Sequence, residues 1–292
     1  MKIVKTTTSD GIIFTGLITE PKVSSKKIII HIHGMAGNPI LNNFYQPMHD
    51  YYSKNGFAFL ATENRGVGTL TELVIKGGVK MLGNAIERFE DCVIDIEAWV
   101  DYAKGLGYEE IWLQGHSLGP SKIAYYMFTQ KPKGIKGLIW ISPADMTGWV
   151  NQKSENQAKN HKIMFAKAKQ MKSEGKGKLL IDQSFWGNEL ISADTYLNFF
   201  DEGANTAIFN FGNEKRGWEV VNSIDLPVIA ITGTNDDGIV PIMQAKEAME
   251  KLETELKNSP KVKTIVYDNA KHSFEGFETN IVEDVIKFIE NV

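Results

Sequence analysis

The sequence predicts an α/β protein built on a mostly parallel sheet, and three observations support this fold class. Short runs rich in β-branched residues alternate with longer stretches in which apolar residues recur every three or four positions. Several runs are apolar throughout, such as Ile28-Ile29-Ile30 and Val228-Ile229-Ala230-Ile231, as expected of strands covered on both faces. The 292 residues are 42% apolar with a net charge of −4, which supplies a sizeable core and argues against a basic nucleic-acid-binding domain.

The strands are expected in a regular order along the chain. An N-terminal hairpin comes first, because two alternating segments are joined through Ser9-Asp10-Gly11. Buried strands are then predicted over residues 27–33, 56–62, 110–114, 136–142, 226–232 and 262–267. Longer polar or helix-periodic stretches separate them, so these strands are expected to run parallel with crossover connections.

Amphipathic helices are predicted between the strands and at the end of the chain, over residues 87–102, 122–129 and 278–289. The only cysteine, Cys92, lies on the apolar stripe of the first of these helices, and we expect it to be a small core side chain rather than a reactive thiol. A single cysteine excludes an internal disulfide framework. The N-terminus carries no signal-peptide pattern and no apolar run is long enough to span a bilayer, so a cytoplasmic protein without a stable membrane anchor is predicted.

The alternation fails between residues 144 and 222, which are interpreted as an insertion. No run there resembles a buried parallel strand, and aromatic residues are clustered between 185 and 211. Residues 151–180 hold eight lysines and two glutamates in a helix-like stretch. Such a segment is interpreted as a solvated helix face, with recruitment of an anionic substrate or a transient membrane contact as alternatives.

The strongest chemical motif is Gly115-His116-Ser117-Leu118-Gly119. It is a G-x-S-x-G sequence that directly follows a predicted strand and precedes a predicted helix, which is the context in which such a serine acts as a nucleophile. The sharp turn holds the hydroxyl at the carboxyl edge of the sheet, and the flanking glycines avoid collisions with neighbouring backbone. Ser117 is therefore the candidate nucleophile.

A serine nucleophile needs a base and an orienting carboxylate. His272 lies between the last predicted strand and the last predicted helix, and it is the candidate base. The carboxylate is expected after the preceding strand, where Asp236 and Asp237 are adjacent. Counting from Gly233 favours Asp236 and counting back from Pro241 favours Asp237, so Asp236 is preferred and Asp237 is kept as the alternative.

Two backbone N–H groups are predicted to form an oxyanion hole. Leu118 directly follows the nucleophile, and Met35 lies in the glycine-containing loop after the strand at 27–33. The His31-x-His33 pair could be read as metal ligands, but no third ligand is close in sequence. Neither a metal nor another cofactor is predicted.

These motifs resemble those of α/β-hydrolase-fold serine hydrolases of the esterase/lipase type. The resemblance covers most of the chain outside the insertion and rests on Asp10-Gly11, His33-Gly34, Asn64-Arg65-Gly66-Val67-Gly68, residues 115–119, residues 233–241 and His272. It implies an α/β-hydrolase fold with a mostly parallel eight-stranded sheet flanked by helices, and a largely helical cap inserted after strand six. Two departures are the adjacent aspartates and Asn64, since the family often has Asp at that position.

The resemblance implies residues 1–143 and 223–292 as the core and residues 144–222 as the cap. It implies hydrolysis of a carboxylic ester of a small or medium-sized molecule through an acyl-enzyme on Ser117, with a thioesterase, amidase, acyltransferase or C–C bond hydrolase as alternatives. A non-catalytic ligand-binding homologue is the remaining possibility. Cap aromatics are candidate pocket walls, with Trp186 and Phe200 preferred. The expected partner is a small ester or acyl substrate, and the sequence does not fix an oligomeric state.

Overall fold

The computed structural model describes residues 1–40, 44–152, 154–182, 189–213 and 216–292. The strands are β1 Lys2–Thr7, β2 Ile12–Thr19, β3 Lys27–Ile32, β4 Ala58–Thr62, β5 Thr71–Ile75, β6 Gly78–Leu82, β7 Glu110–His116, β8 Ile135–Ile141, β9 Val228–Asn235 and β10 Val262–Lys271. The helices are α1 Tyr45–Lys54, α2 Cys92–Gly105, α3 Gly119–Gln130, α4 Met146–Gln152, α5 Glu155–Ser173, α6 Ala193–Phe200, α7 Glu219–Asn222, α8 Ala245–Glu255 and α9 Glu278–Glu290.

All strands in the described residues join one sheet in the order β10-β9-β8-β7-β3-β4-β2-β5-β6, with β1 paired to β2. The pairs from β4 through β3, β7, β8 and β9 to β10 are parallel. The pairs that involve β1, β2, β5 and β6 are antiparallel. The chain therefore has the α/β-hydrolase fold that the sequence predicts, with a mixed sheet flanked by helices.

The sheet has ten strands, whereas eight were expected. The two additional strands are β5 and β6, which form a hairpin at the sheet edge. Their side chains are mostly exposed, so this segment lacks the continuous apolar run by which the buried strands are recognised. Helix α2 also begins at Cys92, later than the predicted residue 87, because the preceding residues form two short 3-10 turns.

Each central strand is buried on both faces. In β3, Ile28 and Ile30 belong to one apolar cluster, whereas Ile29 belongs to a second cluster on the opposite face. Helices α2, α3 and α8 contribute to the first cluster, and α1 and α9 contribute to the second. Cys92 lies in a helix that covers the sheet and is 1% exposed, which confirms the predicted core position. Burial raises the pKa of its thiol well above the ordinary range.

The segment between β8 and β9 divides into two parts by its packing. Helices α4, α5 and α6 surround their own apolar cluster, which also contains Phe89 and Leu118, so these helices lie over the sheet edge at which β7 ends. Ile208, Phe209 and Trp218, in contrast, pack into the first sheet cluster. The described residues between 144 and 222 contribute no strand to the sheet.

The lysine-rich segment forms helix α5 and the turn that follows it. Only His161, Met164 and Ala168 of this helix are buried, and most of its lysines are exposed, so the helix presents a lysine-rich face to solvent. No helix in the described ranges is both long enough and apolar enough to cross a lipid bilayer.

Candidate active site

Ser117 occupies a strained turn between β7 and α3. Its φ is +63°, a left-handed conformation that is costly for a residue with a side chain. Its backbone N–H donates to the Ile141 carbonyl at 3.0 Å, which fixes the turn to the neighbouring strand β8. A Cβ atom on Gly119 would lie 2.2 Å from the Ile32 carbonyl oxygen, and one on Gly115 would lie 2.5 Å from the Gly119 carbonyl carbon. Both glycines are therefore required by close backbone packing around Ser117.

His272 follows the last residue of β10 and is hydrogen-bonded to a buried carboxylate. Its Nδ1 nitrogen lies 2.7 Å from the Oδ1 oxygen of Asp236. The His272 side chain is 26% exposed, whereas that of Asp236 is fully buried. Parallel strands place their carboxyl ends at one edge of the sheet, so β7, β9 and β10 bring Ser117, Asp236 and His272 to the same side of the molecule.

Asp236 is held as an anion by several donors. The Thr232 hydroxyl donates to Oδ2 at 2.9 Å and the Gly238 N–H donates to Oδ1 at 2.9 Å, while the Ser142 hydroxyl also donates to Oδ2. Burial alone would raise the pKa of Asp236, but the adjacent His272 and these hydrogen bonds lower it to about 2. The carboxylate is consequently ionised at neutral pH and can accept the Nδ1 proton of His272.

The neighbouring carboxylate has a different environment. Asp237 is exposed and lines the cavity that contains Ser117. One carboxylate oxygen each of Asp236 and Asp237 and a ring nitrogen of His272 lie within 4.8 Å of one another. Of the two aspartates that the sequence left as alternatives, Asp236 is the one that makes the buried 2.7 Å contact with the histidine.

The loop after β3 lies directly against the nucleophile turn. A Cβ atom on Gly34 would be 2.8 Å from the Ser117 Cβ and 3.0 Å from the Leu118 nitrogen, so only a glycine permits this approach. The next residue, Met35, lines the cavity at Ser117. The two predicted oxyanion donors therefore adjoin Ser117 in different ways: Leu118 follows it in the chain, and Met35 follows Gly34, which packs against it.

His33 fixes the peptide that carries the Met35 N–H. Its Nδ1 lies 2.8 Å from the Gly34 carbonyl oxygen, and its Nε2 lies 3.3 Å from the Asn64 N–H nitrogen. These partners require a neutral ring with the proton on Nδ1, and burial lowers the pKa of His33 to about 3. In a trans peptide the N–H points opposite to the C=O, so the bond from His33 to the Gly34 carbonyl directs the Met35 N–H away from His33.

A buried ion pair between Lys122 and Glu87 is linked to His33 through Asn64. The Lys122 ammonium lies 2.5 Å from the Oε1 of Glu87 and donates to the Asn64 Oδ1 at 3.2 Å. The side chains of Lys122 and Glu87 are both 0% exposed. Sequence reasoning missed this pair, although a lysine in the apolar stretch that follows the nucleophile was a visible signal. Asn64 stands where the family often has Asp. Its Oδ1 accepts from Lys122 and its backbone N–H donates to His33 Nε2.

His116, the residue before Ser117, contacts the backbone of His272, the predicted base. Its Nε2 lies 2.7 Å from the His272 carbonyl oxygen, so Nε2 carries the proton and donates. Burial lowers the pKa of His116 to about 4, which keeps the ring neutral near pH 7. The place of His116 in the G-x-S-x-G motif does not by itself predict this contact.

The cavity at Ser117 is small, about 70 Å³. Its lining in the described residues consists of Met35, Ser117, Ala144, Met146, Trp149, Asp237, Gly238 and His272. Phe200 does not line it and is fully buried beside Tyr196 in the cluster of α4 to α6, and Trp186 lies outside the described residues. The nearby aromatic side chain is Trp149, at the start of the inserted segment, which sequence reasoning did not single out.

A comparison with known protein families shows which family the chain belongs to. Residues 23–280 match the model of the family described as serine aminopeptidase, S33. The chain belongs to this family. It is therefore a serine hydrolase of the α/β-hydrolase superfamily, as the resemblance of its motifs implied. No curated protein matches the chain in sequence.

Solved structures with the same fold include several esterases and a lipase. Est1E from Butyrivibrio proteoclasticus with bound ferulic acid has a TM-score of 0.66 and 19% identity over 99% of this chain and 98% of that one. A monoglyceride lipase from Saccharomyces cerevisiae has a TM-score of 0.68 and 18% identity over 100% and 96% of the two chains. The carboxylesterase CesB from Bacillus subtilis has a TM-score of 0.58 and 17% identity over 100% and 93%. At these identities the likeness establishes the fold.

Proposed function

We propose that this protein hydrolyses carboxylic esters of small or medium-sized molecules through an acyl-enzyme on Ser117. The observation that carries the proposal is the 2.7 Å contact between His272 Nδ1 and Asp236 Oδ1 beside the cavity that contains Ser117. A nucleophile on a strained turn, a histidine at the same cavity and a buried carboxylate behind that histidine form the arrangement of a catalytic triad.

The geometry supports a two-step acyl transfer. The Ser117 oxygen attacks the ester carbonyl carbon while His272 removes the hydroxyl proton, and Asp236 stabilises the resulting imidazolium. The N–H groups of Met35 and Leu118 stabilise the charge on the carbonyl oxygen. His272 then gives its proton to the departing alkoxide, so the alcohol leaves and the acyl group remains on Ser117. Water, deprotonated by His272, attacks the acyl-enzyme and releases the carboxylic acid and free Ser117.

The substrate class is inferred from the cavity and from the similar structures. Two of the fold neighbours described above are named as a carboxylesterase and a monoglyceride lipase, and the third, Est1E, was solved with bound ferulic acid. A cavity of about 70 Å³ bounded by Met146 and Trp149 favours a short acyl group. The family description names a peptidase, so hydrolysis of an amide is the second candidate, and matched ester and anilide substrates distinguish the two.

We also propose that helices α4 to α6 form a cap over the nucleophile. These helices share a cluster with Leu118, and Met146 and Trp149 of α4 line the cavity. The core would comprise residues 1–143 and 223–292. Because Ile208 and Phe209 pack with the sheet, the cap itself would end before them, within the predicted insertion of residues 144–222.

An active-site probe tests the proposed nucleophile. A fluorophosphonate should label the wild-type protein once, and tryptic mapping should locate the adduct on Ser117. Ser117→Ala should abolish both labelling and hydrolysis of p-nitrophenyl butyrate. Ser121→Ala is the matched control, because Ser121 is buried one turn later and its hydroxyl has no hydrogen-bond partner in the described structure; this variant should label normally. A wild-type protein that is not labelled in its native state contradicts the proposal.

A further inference from the structure

A second cavity, much larger than the one at Ser117, lies on another part of the molecule. Its volume is about 750 Å³, within the range typical of small-molecule sites. It is an open cavity lined by the hairpin β5–β6, the 3-10 turns before α2, the end of α5 and the start of α6. It shares no lining residue with the cavity at Ser117, so the proposed hydrolase mechanism does not account for it.

Cationic side chains outnumber carboxylates in the lining of this cavity. Five cationic side chains line it, Arg65, Lys80, Arg88, Lys172 and Lys178, against the three carboxylates of Glu87, Asp91 and Asp194. The surplus is therefore two positive charges. A concave wall with one predominant sign of charge attracts ligands of the opposite sign.

Ion pairs within the wall show which cations carry the surplus. Arg65 lies 3.1 Å from Asp91 and Lys172 lies 3.8 Å from Asp194. Glu87 is paired with Lys122 behind the wall, and Arg88 is paired with Glu90, 3.1 Å away.

Two lysines remain. Among the described residues, neither Lys80 nor Lys178 has a carboxylate within 4.0 Å, and both side chains are exposed. The two come from different elements: Lys80 belongs to β6, and Lys178 lies in the turn after α5.

One side of the cavity is apolar. Met81 and Leu82 of β6 and Ile86 of the following 3-10 turn contribute to its lining. Met81 remains 47% exposed, so a bound apolar group would remove this side chain from water. The wall thus combines cationic and apolar lining within one concave space.

We propose that this cavity binds an organic anion that carries an apolar group, with Lys80 and Lys178 holding its carboxylate or phosphate and Met81, Leu82 and Ile86 covering its apolar part. A lysine ammonium serves either anionic group as a point charge. This site is separate from the proposed ester hydrolysis and does not depend on it. It assigns a role to part of the lysine-rich segment, which contributes Lys172 and Lys178 to the wall.

Calorimetric titration of the whole chain with sodium decanoate and with decyl phosphate tests the proposal. One series of titrations uses Ser117→Ala, which removes turnover. A second series uses the wild type with the proposed active-site cavity blocked by a phosphonate. At least one of the two anions should bind at one site with a Kd below about 1 mM, and the affinity should be unchanged in the blocked protein. The anion that binds more tightly identifies the preferred head group. Binding should weaken with added salt, because exposed charges are screened.

The decisive variant is Lys80→Ala combined with Lys178→Ala. We expect it to weaken binding of the anions by about tenfold, since it removes two exposed charge interactions. The matched control is Lys22→Ala combined with Lys246→Ala, which changes the net charge equally at exposed positions outside the cavity and should leave the affinity within about twofold. Circular dichroism and thermal melts verify that both variants are folded.

Several outcomes would overturn the proposal. These outcomes are that neither anion binds the Ser117→Ala protein, that both double variants bind equally well, or that decan-1-ol binds as tightly as the anions. Loss of binding in the phosphonate-blocked protein would also overturn it, because the ligand would then occupy the cavity at Ser117. The proposed ester hydrolysis fails on a different readout, the labelling of Ser117, so the two failures are distinguishable.

Discussion

The Nδ1 nitrogen of His272 lies 2.7 Å from the Oδ1 oxygen of the fully buried Asp236, whereas the adjacent Asp237 is exposed. Two side chains that are neighbours in sequence therefore occupy different environments. The difference follows from the turn after β9, in which the Gly238 N–H closes onto Asp236 Oδ1 at 2.9 Å and the Thr232 and Ser142 hydroxyls donate to Oδ2.

The first prediction separates the two aspartates. Asp236→Asn should lower kcat by about 10⁴-fold, because the amide favours the wrong tautomer of His272. Asp237→Asn should change kcat by less than about tenfold, because the buried carboxylate behind the histidine is retained. Steady-state kinetics on p-nitrophenyl butyrate measure both. A larger loss from the Asp237 substitution would assign the triad carboxylate to the other residue.

The second prediction concerns stability in acid. The pKa of Asp236 is lowered to about 2 from an ordinary value of 3.8, so the folded state binds this proton less readily than the unfolded state. The stabilisation is fully present above about pH 4 and is lost as pH falls towards about 2, with a magnitude of about 2 kcal/mol. Urea unfolding between these pH values should show a smaller loss of stability for Asp236→Asn than for the wild type. Equal pH dependence in both proteins would contradict this assignment.

The third prediction concerns the buried pair of Lys122 and Glu87. Lys122→Met leaves the Glu87 carboxyl buried without its cation, which should lower the free energy of unfolding by about 3–5 kcal/mol. Replacing both residues by methionine removes the unpaired charge and should recover a large part of that loss. Chemical denaturation of the two single variants and the double variant measures the coupling. Additive losses would show that the two side chains do not depend on each other.

The fourth prediction tests the control of the oxyanion loop by His33. His33→Ala removes the donor to the Gly34 carbonyl, so the Met35 N–H should lose its fixed direction and kcat should fall by about 10²-fold or more with little change in KM. His33→Asn can supply an amide donor close to the position of Nδ1 and should restore part of kcat. Affinity for a trifluoromethyl ketone, which forms an oxyanion adduct, should fall in parallel with kcat. If kcat recovers but the affinity for the ketone does not, the proposed link to the oxyanion is wrong.

The fifth prediction concerns acyl-chain selectivity. Trp149 lines the cavity at Ser117, so Trp149→Ala should raise kcat/KM for p-nitrophenyl octanoate relative to the butyrate ester by about tenfold, the gain available from burying a few additional methylene groups. Phe200→Ala is the control, because Phe200 is buried away from that cavity. It should destabilise the protein by about 3–5 kcal/mol and leave the ratio of the two esters unchanged.

Much of the fold and the chemical motif could be predicted from local sequence. The central strands are apolar on both faces, and the G-x-S-x-G turn has a fixed relation to its strand and helix, so these features depend on residues close together in the chain. The exposed hairpin β5–β6 was missed because its side chains are mostly solvated and it lacks a continuous buried run.

Features that depend on distant contacts could not be predicted in the same way. The pairing of Lys122 with Glu87 joins residues 35 positions apart, and the bond from His116 to the His272 carbonyl spans 156 positions. The pocket expectation failed for Phe200 because an aromatic side chain in a helix serves equally well in the packing of that helix, and only the arrangement of α4 to α6 shows which surface faces Ser117. The choice between the aspartates likewise required the conformation of the turn after β9.

The most direct test of the acyl-enzyme is to observe it during turnover. After rapid mixing of the wild type with p-nitrophenyl butyrate, the absorbance should show a burst of nitrophenol close to one equivalent. Samples are then quenched with acid, and their peptides are analysed by mass spectrometry. The butyryl group should be found on the peptide that contains Ser117. A burst with the acyl group on another residue, or sustained turnover with no covalent adduct at any time after mixing, would contradict the proposed mechanism.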